Sequence, residues 1–220
     1  QSPASNGWIV FSSDRDINSV APFRLYRLEP IGGRVDPVGQ LRGRQPAWSP
    51  DGSQLAFVDL RWRLVVARSN GQIVKVLTSG RYLAQHPSWS PDGSRIVFSQ
   101  SGRLRFRGDL VLAAADGSSL RRITRTRHDD VEPAWSPTGS LIAFSSDRPV
   151  RLRDDHEIAV VRPDGTGVHN LTANDGFQDR APAWSPDGSR IVFESGRDPA
   201  RFSPALWTMQ SGGHDEQLVQ

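Results

Sequence analysis

Five histidines, His86, His128, His156, His169 and His214, supply all the imidazole in the chain, and none falls in the His-Glu-x-x-His pattern that binds zinc from one helical face. Their scatter points to single surface histidines, with His128, Asp129 and Asp130 forming one local polar cluster. Cysteine is absent, which excludes disulfides, thiolate metal ligands and thiol nucleophiles. The Gly-x-Ser-x-Gly elbow that presents a serine nucleophile does not occur either. A different set recurs at regular places: Arg44 and Gln45, Gln85 and His86, Asp130 and Glu132, and Asp179 and Arg180 all stand just ahead of a Pro-x-Trp-Ser tetrapeptide. Brought together, these side chains would grip a peptide terminus or a sugar. Their convergent carboxylates would coordinate a hard cation such as calcium through oxygen. The competing expectation is that Asp130 and Asp179, three residues ahead of Pro133 and Pro182, hydrogen-bond a neighbouring loop.

Whether the set converges depends on the elements that carry it, and these are repeats. Segments 46–57, 87–98, 133–144 and 182–193 are one motif, Pro-x-Trp-Ser-Pro-Asp/Thr-Gly-Ser-x-Leu/Ile-x-Phe, written four times. A fifth, headless copy starts at Trp8 and runs through Ser-Asp-Arg to Arg15. The phenylalanines Phe11, Phe57, Phe98, Phe144 and Phe193 are spaced by 46, 41, 46 and 49 residues, a period that suits a four-stranded propeller blade. Within each copy Pro-x-Trp-Ser reads as a short strand, Pro-Asp-Gly as a tight turn and the Leu/Ile-x-Phe piece as a second strand. Third strands are predicted at 24–28, 64–67, 110–114, 157–161 and 205–209. Turns at Gly33, Gly71, Gly117, Gly165 and Gly213 follow, then fourth strands that end at Thr78, Thr124, Thr172 and Val219. No stretch has a helical period, so the fold class is all-β: a propeller of four-stranded antiparallel blades, five in number.

The repeated motif, followed by Ser-Asp-Arg, a third strand, Asp-Gly and Leu-Thr, resembles the repeat of the TolB-type β-propeller family and covers the chain from Trp8 onward. It is also similar to repeats in the propeller domains of some serine peptidases. The TolB resemblance implies the propeller module without that family's N-terminal α/β domain, a periplasmic or extracellular location, and a protein partner bound on one face. The units are expected at about 8–45, 46–86, 87–132, 133–181 and 182–220, with residues 1–7 a flexible terminus or a degenerate inner strand. A closed ring and a monomer are expected; the alternative is an open or six-bladed arrangement completed by another chain.

In such a blade the Pro-Asp-Gly and Asp-Gly turns share one face, and their uniformity suits folding. The other face carries the variable loops 13–22, 59–62, 101–108, 147–156 and 196–204, together with the connections that bring the eight residues above toward the axis. Arg103, Arg105, Arg107, Arg151 and Arg153 would form a basic sector there, offset by Asp109, Asp154 and Asp155. Trp48, Trp89, Trp135 and Trp184 hold one fixed motif position and are expected to pack between blades.

Composition bounds the rest. The 27 basic residues against 24 acidic leave only +3, and because Lys75 is the sole lysine the pI rises to 10.1 on arginine alone. Arginine alternates with aspartate and does not gather into the stripe of a nucleic-acid binder, so no nucleic-acid partner is expected. No uncharged apolar run approaches the roughly 20 residues of a membrane helix, so no membrane insertion is expected. The Pro-x-Trp-Ser pieces, read as the inner strands, carry no acid or base, which argues against hydrolysis by paired carboxylates. The sequence therefore predicts a noncatalytic module that binds a protein or peptide through Arg44, Gln45, Gln85, His86, Asp130, Glu132, Asp179 and Arg180. No cofactor beyond the calcium reading is expected. The alternatives are a five-bladed glycoside-hydrolase-type enzyme and a gating propeller cut from a larger serine peptidase.

Overall fold

The Ser-Pro-Asp-Gly-Ser piece shows why each motif makes a hairpin. In the second copy Ser90 Oγ accepts from the Arg95 N–H at 2.9 Å and donates to Asp92 Oδ1 at 2.5 Å, while Asp92 takes the Ser94 N–H at 3.0 Å. Gly93 then closes the turn at φ +70°, where a side chain would be strained. The same bonds recur around Ser49 and Asp51 and around Ser185 and Asp187, and in the third copy the Thr138 hydroxyl stands in for the carboxylate. The turns are built from the motif alone, and the strands follow from them.

The computed structural model describes residues 7–14, 23–103, 107–148, 155–173, 176–197 and 204–219. They form five antiparallel sheets. The first has three strands, β1 (Ile9–Ser13), β2 (Arg24–Leu28) and β3 (Val35–Arg42). The second comprises β4 (Arg44–Trp48), β5 (Gln54–Val58), β6 (Leu64–Arg68) and β7 (Ile73–Val76). The third runs β8 (Leu83–Trp89), β9 (Arg95–Ser101), β10 (Gly108–Ala114) and β11 (Leu120–Arg122). The fourth runs β12 (Asp130–Trp135), β13 (Ile142–Ser146), β14 (Glu157–Val161) and β15 (His169–Asn170). The fifth runs β16 (Asp179–Trp184), β17 (Arg190–Ser195), β18 (Ala205–Gln210) and β19 (Gln217–Leu218). This is the expected five-bladed, all-β propeller. The degenerate inner strand expected within residues 1–7 falls, apart from Gly7, outside the described residues.

Alternation along each strand sends one side chain to the preceding blade and the next to the following one. Ile96 and Phe98 of β9 thus pack on Ala56, Leu64 and Val66 of the second blade, while Val97, with Leu110 and Leu112, packs on Ile142 and Phe144 of the fourth. Four such clusters join successive blades, and none joins the fifth to the first among the described residues. Phe57, Phe98, Phe144 and Phe193 lie at the centres of these clusters, each burial contributing roughly 1.5–3 kcal/mol. The motif tryptophans span the same seams, as expected: Trp89 Nε1 donates to the Ala47 carbonyl at 3.0 Å, and Trp184 Nε1 to that of Ala134 at 3.1 Å. Leu-Thr at the end of the outer strand also has a task. Thr78, Thr124 and Thr172 Oγ1 accept from the buried N–H groups of Leu64, Leu110 and Ile158 at 2.8–2.9 Å, tying the outer edge to the third strand.

Candidate functional site

The four inner strands share an irregularity just ahead of the motif. Their register slips between Arg44 and Ala47, Gln85 and Ser88, Val131 and Ala134, and Arg180 and Ala183. At each slip the residue before the proline has positive φ: Gln45 at 52°, His86 at 51°, Glu132 at 55° and Ala181 at 53°. A non-glycine residue there costs on the order of 1–3 kcal/mol and persists only where its surroundings enforce it. A bulge of this kind re-aims one side chain out of the strand's alternation.

Hydrogen bonds between blades enforce it. Gln45 Oε1 accepts the His86 N–H at 3.0 Å, so a side chain of the second blade holds the backbone of the third. Glu132 Oε2 does the same between the fourth and fifth, accepting the Ala181 N–H at 3.0 Å while taking Ser145 Oγ at 2.8 Å. His86 lies close enough to Glu132 to feel its charge, which raises the imidazole pKa, but burial is the stronger influence and holds it below the ordinary histidine value. Its Nδ1 is buried without a hydrogen-bond partner. The result is a rigid set of polar side chains at the head of the inner strands, with Glu132 anchored and His86 neutral near pH 7.

Asp130 and Asp179 are not part of that surface, which corrects the expectation that they present carboxylates at the mouth. Both are fully buried. Asp130 accepts from Ser146 Oγ and from Arg148 Nη2, both at 2.7 Å, and Asp179 is paired with Arg197, which also meets Glu216. They fasten the start of the inner strand to the loop after the second strand, as the alternative expectation had it. Two of the three carboxylates invoked for calcium are thereby neutralised by arginine. Among the described residues no three His, Asp or Glu side chains are placed to hold a metal ion.

The two arginines of the predicted set occupy equivalent positions and are held differently. Arg180 Nη2 lies 2.9 Å from His156 Nδ1, and His156 Nε2 lies 3.3 Å from Asp129 Oδ2. Asp129 Oδ1 in turn takes the Gly108 N–H at 2.7 Å. Burial disfavours the Asp129 charge, yet the bonds from His156 and Gly108 and the nearby Arg180 keep its pKa below the usual carboxylate value. Arg44 instead lies over two rings, its guanidinium carbon 4.1 Å from the centroid of Phe23 and 4.7 Å from that of Trp62. Gln85 contributes its carbonyl to Ser99 Oγ at 3.2 Å.

The family model described as the TolB beta propeller domain matches residues 43–153, just over half of the chain. The chain belongs to the TolB β-propeller family. Among solved structures, a putative TolB from Agrobacterium tumefaciens aligns at TM-score 0.73 and 24% identity, over 89% of this chain and 73% of that one. TolB from Acinetobacter baumannii aligns at TM-score 0.78 and 20% identity over 97% of this chain but 52% of its own. An oligogalacturonate lyase in complex with manganese aligns at 0.70 and 16% over 97% and 62%. Likeness at these identities establishes the fold, and this TolB-family propeller spans about half the length of the Acinetobacter protein. No curated protein sequence matches it.

Of the expected basic sector in this TolB-family propeller, Arg105, Arg151 and Arg153, like Asp154, lie outside the described residues. Arg103 donates to the Gly80 carbonyl at 3.2 Å and Arg107 to that of Arg127, while Asp109 is paired with Arg122 at 2.9 Å. Sequence reasoning missed His156, Asp129, Phe23 and Trp62 as parts of the site. Only the run His128-Asp129-Asp130 had pointed toward it. Beside the Pro-Asp-Gly turns the structure also holds a cavity of about 290 Å³, walled by Trp48, Trp89, Trp135, Trp184 and motif prolines.

Proposed function

We propose that this TolB-family propeller is a noncatalytic interaction module, exported to the periplasm or beyond, that takes a protein or peptide at the mouth formed by the heads of its inner strands. The observation that carries this reading is the shared positive-φ bulge. Gln45, His86 and Glu132, with Ala181 in the fourth copy, are held in a costly backbone conformation, and strain of this kind gathers at binding sites. The family membership and the TolB structures it resembles support the location and the class of partner.

The test is capture from a periplasmic or secreted extract on immobilised propeller. One protein should be retained reproducibly, and should be lost when His86, Glu132 and Arg180 are exchanged for alanine in a variant whose thermal transition is intact. Undiminished capture by that variant would remove the site. Turnover of oligogalacturonate by the purified chain would remove the noncatalytic reading.

A further inference from the structure

Arg44 differs from four arginines near it at the heads of the inner strands and in the loops beside them. Arg148 and Arg197 are each paired with a buried aspartate, Arg63 with Asp59 at 2.7 Å, and Arg180 with His156. Among the described residues no oxygen accepts from the Arg44 guanidinium, although the residue is half-buried. Its guanidinium carbon lies instead over the rings of both Phe23 and Trp62. The N–H donors left without an acceptor there lie in one plane, as a fork that meets a carboxylate with two parallel hydrogen bonds.

The clamp itself is strained. Phe23 has φ 64° and Trp62 φ 63°, conformations that bulky side chains rarely adopt. Trp62 is fixed there by its N–H on the Asp59 carbonyl at 2.9 Å and by its own carbonyl, which takes the Ala84 N–H at 3.1 Å. Stacking on two rings orients the guanidinium without cancelling its charge. Asp59, the acid of the loop that carries Trp62, is taken by Arg63.

We propose that Arg44 is a carboxylate receptor: the clamped guanidinium takes a carboxylate of the peptide bound at the mouth, whether an acidic side chain or a chain end. This rests on the mouth being a ligand-binding face. Side-chain NMR tests it directly, with the Arg44 Nε–H signal assigned by its loss in Arg44→Lys. Titration with acetyl-Ala-Glu-Ala-amide, or with acetyl-Ala-Ala-Ala bearing a free C-terminus, should move that signal saturably. The arm that responds identifies the source of the carboxylate. Acetyl-Ala-Gln-Ala-amide should leave the signal in place, and Arg44→Lys should bind the responsive peptide at least about 10-fold more weakly, since the charge stays but the fork and the stacking are lost.

Silence toward both carboxylate peptides, an equal response to the glutamine peptide, or unaltered affinity in Arg44→Lys would overturn the assignment. Trp62→Leu, which opens the clamp while keeping Arg44, supplies a second variant and should also weaken binding. If these fail while the His86, Glu132 and Arg180 exchange still abolishes partner capture, the carboxylate assignment falls and the mouth stands.

Discussion

Arg180 donates through Nη2 to Nδ1 of His156 across 2.9 Å, and that one contact determines the state of the imidazole. A guanidinium has no acceptor, so Nδ1 must carry the lone pair and the proton must sit on Nε2, facing Asp129 Oδ2 at 3.3 Å. Asp129 stays ionised, Arg180 stays charged, and His156 bridges them while neutral. A long-range proton–nitrogen spectrum of imidazole-labelled protein near pH 7.5 should show His156 in the Nε2–H form, and Arg180→Met should let the other tautomer appear. A proton on Nδ1 in the unmodified protein would contradict the relay.

The pair formed by Asp130 and Arg148 calls for a stability measurement. Asp130 has no exposed surface and Arg148 very little, so removing one partner strands a charge in the interior. Arg148→Met should cost about 3–5 kcal/mol in denaturant unfolding, whereas Arg148→Met with Asp130→Leu should recover most of that loss. An exposed pair would cost only about 0–1 kcal/mol. A small effect of Arg148→Met would mean that Asp130 reaches water and belongs to the mouth after all.

These residues show what was legible in the sequence. The Ser-Pro-Asp-Gly-Ser hairpins and the Phe seams were readable because four of the five blades state nearly the same local contacts again, with Thr138 replacing the aspartate in one, so four copies vote on one geometry. The site residues break that repetition and depend on contacts across blades. Asp130 and Asp179 looked like an acidic rim, but the inner strands start at those residues, three positions before the proline, and this carries their carboxylates inward. His156 meets Arg180 from a different blade 24 residues away, and Phe23 reaches Arg44 from the first blade, pairings that no spacing rule announces. Bulges were equally hidden, because the residue before the proline differs in every copy: Gln45, His86, Glu132 and Ala181.

The turn carboxylates make the fold sensitive to acid. Hydrogen bonds from Ser90 and from the backbone and hydroxyl of Ser94 hold Asp92 at about 2, and those from Ser185 and Ser189 hold Asp187 at about 2. Both lie below the roughly 3.9 of an unfolded aspartate. A depressed folded pKa means stability that is fully present above about pH 4 and is lost as pH falls toward about 2. The urea midpoint should drop across that window, and the drop should be smaller in Asp92→Asn with Asp187→Asn, where an amide oxygen keeps the turn but does not titrate. The same drop in that double variant would place the acid lability elsewhere.

Glu132 joins the structural and electrostatic parts of the mouth, so its two conservative variants should separate them. Glu132→Gln retains an oxygen for the Ala181 N–H and Ser145 Oγ, whereas Glu132→Ala takes the acceptor from the Ser145 hydroxyl, leaves the Ala181 N–H with Ser145 Oγ alone, and should cost about 1–3 kcal/mol more. The charge is felt at His86, where burial lowers the imidazole pKa and Glu132 partly restores it. Glu132→Gln should therefore move the His86 titration, followed by NMR, to still lower pH. Because the folded value lies below the unfolded one of about 6.5, the unfolded chain takes up its proton first, and stability falls as pH drops through the interval between the two. Glu132→Gln widens that interval and should deepen the loss below about pH 6.5, while leaving stability near pH 8 close to that of the unmodified protein. A His86 midpoint that stays in place or rises would show that Glu132 acts on the mouth through geometry alone.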